Sequence, residues 1–195
     1  MKQLILASNN RDKLWEIREI LAGSRIAVIP QLEAGFRCEV EETGTTFEEN
    51  ARIKALAAMR ATGLPAVADD SGLEVNAMDG GPGVYSSRFC GGRPYSETCR
   101  EIIDIVDRGT DRGARYCCAV VCCFPDGREI RAFGTVEGEI FHELRGSGGF
   151  GYDPIFYLPT LGKTMAELSP EEKNAISHRG AAFRSFAAQL LNGDY

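Results

Sequence analysis

Length, composition and charge already exclude several classes of protein. The 195 residues suffice for one domain, taken here as 1–195, that would bury about 70% of its unfolded surface. With 22 basic and 28 acidic residues, the net charge of −6 opposes binding to long nucleic acid or to an anionic membrane. No run reaches the roughly 18 apolar residues of a membrane span, and the amino terminus lacks a signal-peptide pattern, so we expect a cytoplasmic protein.

The chain begins with a predicted strand and helix. Residues 3–7 are apolar with little alternation, as in a strand covered on both faces, and residues 8–10 supply turn and N-cap chemistry. The next segment carries Leu14, Ile17 and Leu21 at helical spacing. This pattern predicts a helix that packs one face and leaves the others in solvent.

A second strand and a second helix follow. Residues 25–29 predict the strand, and an acidic loop leads to Thr46 and Glu49, which have the spacing of a capping box. Gly63 is expected to end this helix. Its predicted apolar stripe consists of Phe47, Ala51, Ala55 and Ala58.

Two adjacent aspartates follow a third, brief strand over residues 65–68. We expect Asp69 and Asp70 to lie at the end of that strand, with residues 73–75 continuing in a neighbouring strand. If extended geometry persists, the two side chains point to opposite faces. One carboxylate would then face a site while the other is structural.

The second half of the chain predicts a helix, a hairpin, an irregular loop and a last helix. Residues 95–106 predict the helix, and residues 115–124 and 129–139 the antiparallel hairpin. Residues 146–154 are too rich in glycine for a regular element. The last helix is expected to open at the Ser169 capping box, with an inward face of Ile176, Phe183, Phe186, Ala187 and Leu190.

The seven cysteines are interpreted as buried hydrophobes. Cys118 and Cys122 share one face of a predicted strand but would stand about 13 Å apart at ~3.3 Å per residue, too far to bind one zinc ion together. The odd number and the unpaired spacing of Cys38, Cys90 and Cys99 also suit a reducing compartment.

Two segments have the chemistry of a phosphate and metal site. Residues 8–13 join a buried strand to a helix N-terminus, where backbone N–H groups and the helix dipole attract phosphate and Lys13 adds a charge. Glu41 and Asp70 are the expected ligands of Mg²⁺, which proteins hold with one or two carboxylates. An ordinary N-cap and an ordinary polar turn are the alternatives.

Two further segments could bind a base. Residues 150–153 could bring an aromatic ring and the acceptor Asp153 to a base, the alternative being an Asx turn before a proline. Lys173, His178 and Arg179 offer cationic or directional donors near a helix start. The alternative is that these three side chains are simply solvated.

Five strings, taken in order, resemble the inosine triphosphate pyrophosphatase family. They are Ser8-Asn9-Asn10 with Lys13, and residues 41–51, 68–72, 148–156 and 169–180. Enzymes of this family hydrolyse non-canonical purine nucleoside triphosphates, such as ITP, dITP and XTP, to the monophosphate and pyrophosphate. The resemblance therefore implies an α/β fold with a long mixed twisted sheet flanked by helices, two lobes with a nucleotide cleft between them, and a homodimer.

The resemblance also implies roles for individual residues. Asp70 would be the proton acceptor, and Glu41 and Asp70 would hold Mg²⁺. Asn9 and Asp12 depart from the glycine that is frequent in relatives. The residues expected to bind substrate are Ser8, Asn9, Asn10, Arg11, Asp12, Lys13, Lys54, Ser71, Phe150, Gly151, Tyr152, Asp153, Lys173, His178 and Arg179.

The expected reaction is attack of a water, positioned by magnesium and Asp70, on the α-phosphorus. His178 or Arg179 would donate to the 6-keto oxygen of inosine or xanthosine, where adenine carries an amino group. A pyrophosphatase for pyrimidine or methylated nucleotides is one alternative, but it would not be expected to carry the Ser-His-Arg-Gly run at 177–180. A non-catalytic nucleotide-binding protein is the other, disfavoured by the presence of both acidic residues.

Overall fold

The computed structural model describes residues 2–36 and 40–193. The strands are β1 (Lys2–Leu6), β2 (Ile26–Pro30), β3 (Ala66–Val75), β4 (Gly113–Cys123), β5 (Glu129–Ile140), β6 (Phe156–Leu158) and β7 (Lys163–Thr164). The helices are α1 (Arg11–Ile20), α2 (Phe47–Thr62), α3 (Ser86–Phe89), α4 (Tyr95–Val106), α5 (Pro170–Ile176) and α6 (His178–Asn192). No helix within the described ranges is long and apolar enough to cross a membrane.

The seven strands form one mixed sheet in the order β2-β1-β3-β4-β5-β6-β7. β1 runs parallel to both β2 and β3, whereas β6 runs antiparallel to β5 and β7. The tight turn in which Phe124 N–H donates to Arg128 O, 3.0 Å away, joins β4 to β5 as the predicted hairpin. The prediction of a mixed sheet flanked by helices is confirmed.

The chain divides into two compact units. The first contains residues up to 70, 118–134 and 178 onward; the second contains 71–117 and 135–177. In the first unit, apolar side chains from α1 and α6 pack with one set of strand residues, and the alanine stripe of α2 packs with another. In the second unit, α4 packs on a separate core with Phe156 and Ile155. The predicted cleft between two lobes stays a prediction.

The helix ends predicted from capping chemistry agree with the structure. Thr46 and Glu49 form a reciprocal capping box at the start of α2, and Gly63 ends it in the left-handed conformation, with φ of 68°. The predicted range of α4 is confirmed. These ends depend on backbone groups within one turn, which is why they could be predicted from the sequence.

Strand β3 is longer than predicted, and the expected strand end at the aspartates is wrong. It continues through Asp69, Asp70 and Gly72 to Val75, so both carboxylates lie in the middle of a strand. The strand lies between β1 and β4, and pairing on both sides supplies the backbone hydrogen bonds that a local turn would otherwise make. The expectation that the two side chains point to opposite faces is confirmed, because Asp69 contacts Lys13 of α1 and Asp70 contacts Lys54 of α2.

The last predicted helix is two helices. Ser177 has extended backbone angles, φ −68° and ψ 156°, and separates α5 from α6. The break changes the face that each side chain presents. Ile176, predicted to be in the core, is 39% exposed, whereas Lys173 is buried.

The cysteine prediction is confirmed as far as strand and burial are concerned. Cys117, Cys118, Cys122 and Cys123 lie in β4 and are buried. Burial, aided by the nearby acids, raises the pKa of Cys117 to about 12 and of Cys123 to about 11, so the thiols stay protonated near neutral pH. Cys38 lies outside the described residues.

Candidate active site

The loop from β1 to α1 carries the predicted phosphate-binding residues. Asn10 is the N-cap of α1, and its Oδ1 accepts from the backbone N–H of Asp12 at 2.9 Å and of Lys13 at 3.0 Å. Asn9 Oδ1 accepts from the Nε2 of buried Gln31, 2.6 Å away. The cap satisfies the N–H groups of Asp12 and Lys13, and the helix dipole and the Lys13 side chain would still attract phosphate.

Asp69 is the centre of a buried ionic network. Its Oδ2 lies 2.8 Å from Lys13 Nζ and 3.4 Å from two nitrogens of Arg179, Nε and Nη2. The Nη1 of Arg179 donates to Glu16 Oε2 at 2.5 Å. The network therefore joins α1, β3 and α6 within the first unit.

The surrounding charges keep Asp69 ionised. Burial alone would raise its pKa, but Lys13, Arg179 and Lys54 outweigh that effect and hold the pKa of Asp69 well below its ordinary value. Burial likewise disfavours the charged Arg179, while Asp69 and Glu16 raise its pKa above the usual range. This balance is that of a structural ion cluster.

Asp70 has a different environment on the opposite face of β3. Its Oδ1 lies 3.0 Å from Lys54 Nζ, and its Oδ2 accepts from Asn50 Nδ2 at 3.4 Å. Lys54 Nζ also lies 2.8 Å from Glu42 Oε1. Burial raises the pKa of Asp70, and Glu42 raises it further, while Lys54 and Lys13 act against this. Asp70 is thus a better proton acceptor than an ordinary aspartate.

Glu42 and Asn50 are the residues here that sequence reasoning missed. Glu42 is the neighbour of the predicted ligand Glu41, which is exposed. Asn50 is fully buried on α2, where its Oδ1 accepts from Gly44 N at 2.8 Å. A polar residue in the apolar face of the α2 pattern was the available signal for Asn50.

The second unit brings together three predicted base-site residues. Asp153 Oδ2 accepts from Phe150 N at 2.8 Å and from Lys173 Nζ at 2.6 Å. Lys173 Nζ lies 4.7 Å from the centre of the Phe150 ring, within the range of a cation–π contact. Tyr152 is buried and its hydroxyl donates to Ser86 O at 2.6 Å, so this hydrogen bond fixes the ring in the core of the second unit.

The predicted basic trio is divided between different partners. Lys173 bonds to Asp153 in the second unit, whereas Arg179 bonds to Glu16 and Asp69 in the first. His178 is buried at the start of α6, and Ser71 is half-buried beside Asp70 on β3.

The structure is that of an α/β protein in which two adjacent aspartates, on opposite faces of β3, each contact a lysine. A family model described as the Ham1 family matches residues 4–189. The chain belongs to the Ham1 family.

Individual relatives support this assignment over the full length. The chain is 46% identical over 197 residues to the dITP/XTP pyrophosphatase of Desulforamulus reducens, covering 99% of this chain and 97% of the relative. It is 47% identical to the enzyme of the same name from Gloeobacter violaceus, covering 100% and 97%. The family predicted from the sequence is confirmed.

Two solved structures share the fold. A HAM1 protein from Coxiella burnetii superposes with a TM-score of 0.90 at 43% identity, covering 99% of this chain and 100% of that one. The Staphylococcus aureus Ham1 protein gives a TM-score of 0.88 at 42% identity, covering 97% and 98%.

Proposed function

We propose that this protein hydrolyses non-canonical purine nucleoside triphosphates, such as ITP, dITP and XTP, to the monophosphate and pyrophosphate. The relatives named dITP/XTP pyrophosphatase agree with the function predicted from the sequence. The observation that carries the proposal is the buried Asp70, a carboxylate of raised pKa in contact with Lys54. Such a pair can accept a proton from water beside a group that neutralises phosphate.

Asp70 is the proposed proton acceptor. A water hydrogen-bonded to it would lose a proton to the carboxylate as its oxygen bonds to the α-phosphorus. The bond from that phosphorus to the bridging oxygen breaks, and pyrophosphate leaves with the bonding electrons. Asn50, which donates to the other carboxylate oxygen, keeps Asp70 oriented during this step.

Among the described residues, no three acidic, histidine or cysteine side chains are gathered as a metal site, so the proposed cation would depend on Asp70 and one or two acids near it. Lys54 places one ammonium group within 3.0 Å of Asp70 and 2.8 Å of Glu42, so these carboxylates already share a positive charge. Asp70, with the predicted ligand Glu41 and its neighbour Glu42, would hold Mg²⁺. Bound magnesium would supply positive charge to the phosphate oxygens.

The remaining charges would neutralise and orient the triphosphate. Lys13 is held at the first turn of α1 by Asp69, and its side chain is 17% exposed. Its ammonium is proposed to contact the phosphates. Lys54 carries a raised pKa because Asp70, Asp69 and Glu42 outweigh the effect of burial, which keeps it charged. The remaining predicted residues of the loop, Ser8, Asn9, Asn10, Arg11 and Asp12, together with Ser71, are proposed to line the phosphates.

The base-binding side is proposed to include Phe150, Gly151, Asp153, Lys173 and His178. The Phe150 ring with Lys173 over it offers a surface for a planar base. Tyr152 and Arg179 are proposed to take supporting roles, because the Tyr152 hydroxyl donates to Ser86 O and the Arg179 guanidinium donates to Glu16. A homodimer and a cytoplasmic location complete the proposal.

The test of the proposed function is pyrophosphate release from a panel of eight nucleotides with magnesium. We expect inosine, deoxyinosine and xanthosine triphosphates to be cleaved with a much higher kcat/KM than adenosine, guanosine, cytidine, uridine and thymidine triphosphates. Release of single phosphates, or preference for a pyrimidine nucleotide, would contradict it.

Replacing His178 and Lys13 should separate base reading from phosphate binding. If His178 donates to the 6-keto oxygen, His178→Ala should lower kcat/KM for inosine triphosphate about ten- to a hundredfold, the effect of losing one buried hydrogen bond, and scarcely change adenosine triphosphate. Lys13→Ala should slow both nucleotides by a similar factor, since it acts on phosphate. Equal slowing of both substrates by His178→Ala would show that it does not read the base.

A further inference from the structure

The loop that carries Phe150 and Asp153 is held by one buried carboxylate. Asp153 is 3% exposed, and its Oδ2 accepts from both the Phe150 N–H and the Lys173 ammonium. Gly149, with φ of 67°, leaves the space that Asp153 Oδ2 occupies, because a Cβ there would collide with that oxygen. The carboxylate therefore fixes both the Phe150 ring and the cation over it.

Tyr116, a core residue of the second unit, is a third hydrogen-bond donor to Asp153. Tyr116 lies on β4, is 6% exposed, and hydrogen-bonds through its hydroxyl to the Asp153 side chain. Its ring packs on Phe156, with ring centres 4.4 Å apart, so the hydroxyl has little freedom to move. Burial, with the charge of Asp153 adding to it, raises the pKa of Tyr116 well above its ordinary value, and the hydroxyl remains a donor.

The rest of the loop is anchored to the same core. Cys99 Sγ donates to Gly151 O at 3.8 Å, and Gly148 N donates to Ala166 O at 3.0 Å. The Tyr95 ring meets the Tyr152 ring edge-on, with centres 5.2 Å apart. These contacts hold the loop backbone, while the Asp153 carboxylate is held by Phe150, Lys173 and Tyr116.

We infer that Tyr116 is a positioning residue of the nucleotide site: its hydroxyl orients Asp153, and Asp153 in turn holds Lys173 and Phe150 in place for the base. The inference rests on the proposed function. Tyr116 itself touches no substrate. Its loss should therefore weaken nucleotide binding while leaving the phosphate chemistry at Asp70 unchanged.

The test is Tyr116→Phe, which removes only the hydroxyl and keeps the ring on Phe156. We expect KM for inosine triphosphate to rise about tenfold, as for a lost hydrogen bond to a charged group, with kcat within twofold of wild type. The matched control is Tyr157→Phe on β6, a half-buried ring stacked on Phe141 at 4.7 Å, which should change neither value. A KM within twofold of wild type in Tyr116→Phe overturns the inference.

A double-mutant cycle separates positioning from general stability. Asp153→Asn alone should raise KM, and adding Tyr116→Phe in that background should raise it by less than twofold more, because the hydroxyl acts through the carboxylate. If the double variant raises KM by the product of the two single effects, Tyr116 acts independently of Asp153. That result also overturns the inference. Asp153→Asn provides a second test if Tyr116→Phe folds poorly, since KM should then rise while kcat stays near wild type.

Binding of inosine monophosphate, measured by calorimetry, tests the same positions without turnover. Tyr116→Phe should bind it about tenfold more weakly than wild type. A wild type that binds this nucleotide but releases no pyrophosphate from the triphosphate contradicts the proposed function and leaves the inference supported by the affinity ratio. Equal affinity of the two proteins overturns the inference, and no binding by wild type overturns both.

Discussion

Asp70→Asn is expected to lower kcat for inosine triphosphate by about 10²- to 10⁴-fold, the usual contribution of a general base. The substitution keeps the shape of the side chain but removes the proton acceptor and one negative charge beside Lys54. Its effect on stability should be small, because burial already disfavours the ionised form of Asp70. Pyrophosphate release and thermal unfolding measure these two expectations.

Asp69→Asn is the matched control, since it is the same change one residue away on the other face of β3. Lys13 and Arg179 favour the ionised Asp69, so its neutralisation should act mainly on stability. The free energy of unfolding should fall, and the loss of kcat should be the smaller effect. Normal activity in Asp70→Asn, together with an inactive but stable Asp69→Asn, would reverse the two assignments.

Arg179→Ala is expected to lower the free energy of unfolding by about 3 to 5 kcal/mol, the cost of breaking a buried ion pair by removing one partner. Glu16 and Asp69 both lose the guanidinium that they contact, at 2.5 and 3.4 Å respectively. Chemical denaturation followed by circular dichroism measures the change.

The control for this prediction is Arg18→Ala, which removes an arginine from the exposed face of α1. Arg18 and Glu33 are 3.7 Å apart with side chains 48% and 64% exposed, so the change should be within about 0.5 kcal/mol. If Arg179→Ala is as stable as wild type but loses its preference for inosine over adenosine triphosphate, Arg179 reads the base, as the sequence-based prediction had it.

Local chemistry explains which elements could be predicted. The capping box at Thr46, the helix range 95–106 and the β4–β5 hairpin each depend on residues a few positions apart. The same reasoning was wrong at β3 and at Ser177. In β3, strand pairing on both sides supplied the hydrogen bonds that the polar, glycine-containing segment could have made by turning. At Ser177, extended backbone ended α5 where the apolar pattern predicted a continuous helix.

In the candidate site, too, features that depend on neighbouring residues were predicted, whereas contacts between residues far apart in the chain were not. Alternation along a strand predicted that Asp69 and Asp70 face opposite ways, and both are where that rule puts them. The rule did not say which carboxylate meets two cations in the core. That depended on Arg179, 110 residues away along the chain from Asp69.

By itself, the sequence determined the family, the mixed α/β architecture and the residue types able to bind phosphate, metal and base, because motif spacing and hydrophobic period are properties of neighbouring residues. Only the tertiary structure decided that the pKa of Asp69 is lowered while the pKa of Asp70 is raised. It also showed that Arg179 donates to Glu16 and that the Tyr116 hydroxyl hydrogen-bonds to Asp153. The physical reason is that burial and Coulomb interactions depend on distance through space, and these partners come from distant parts of the chain.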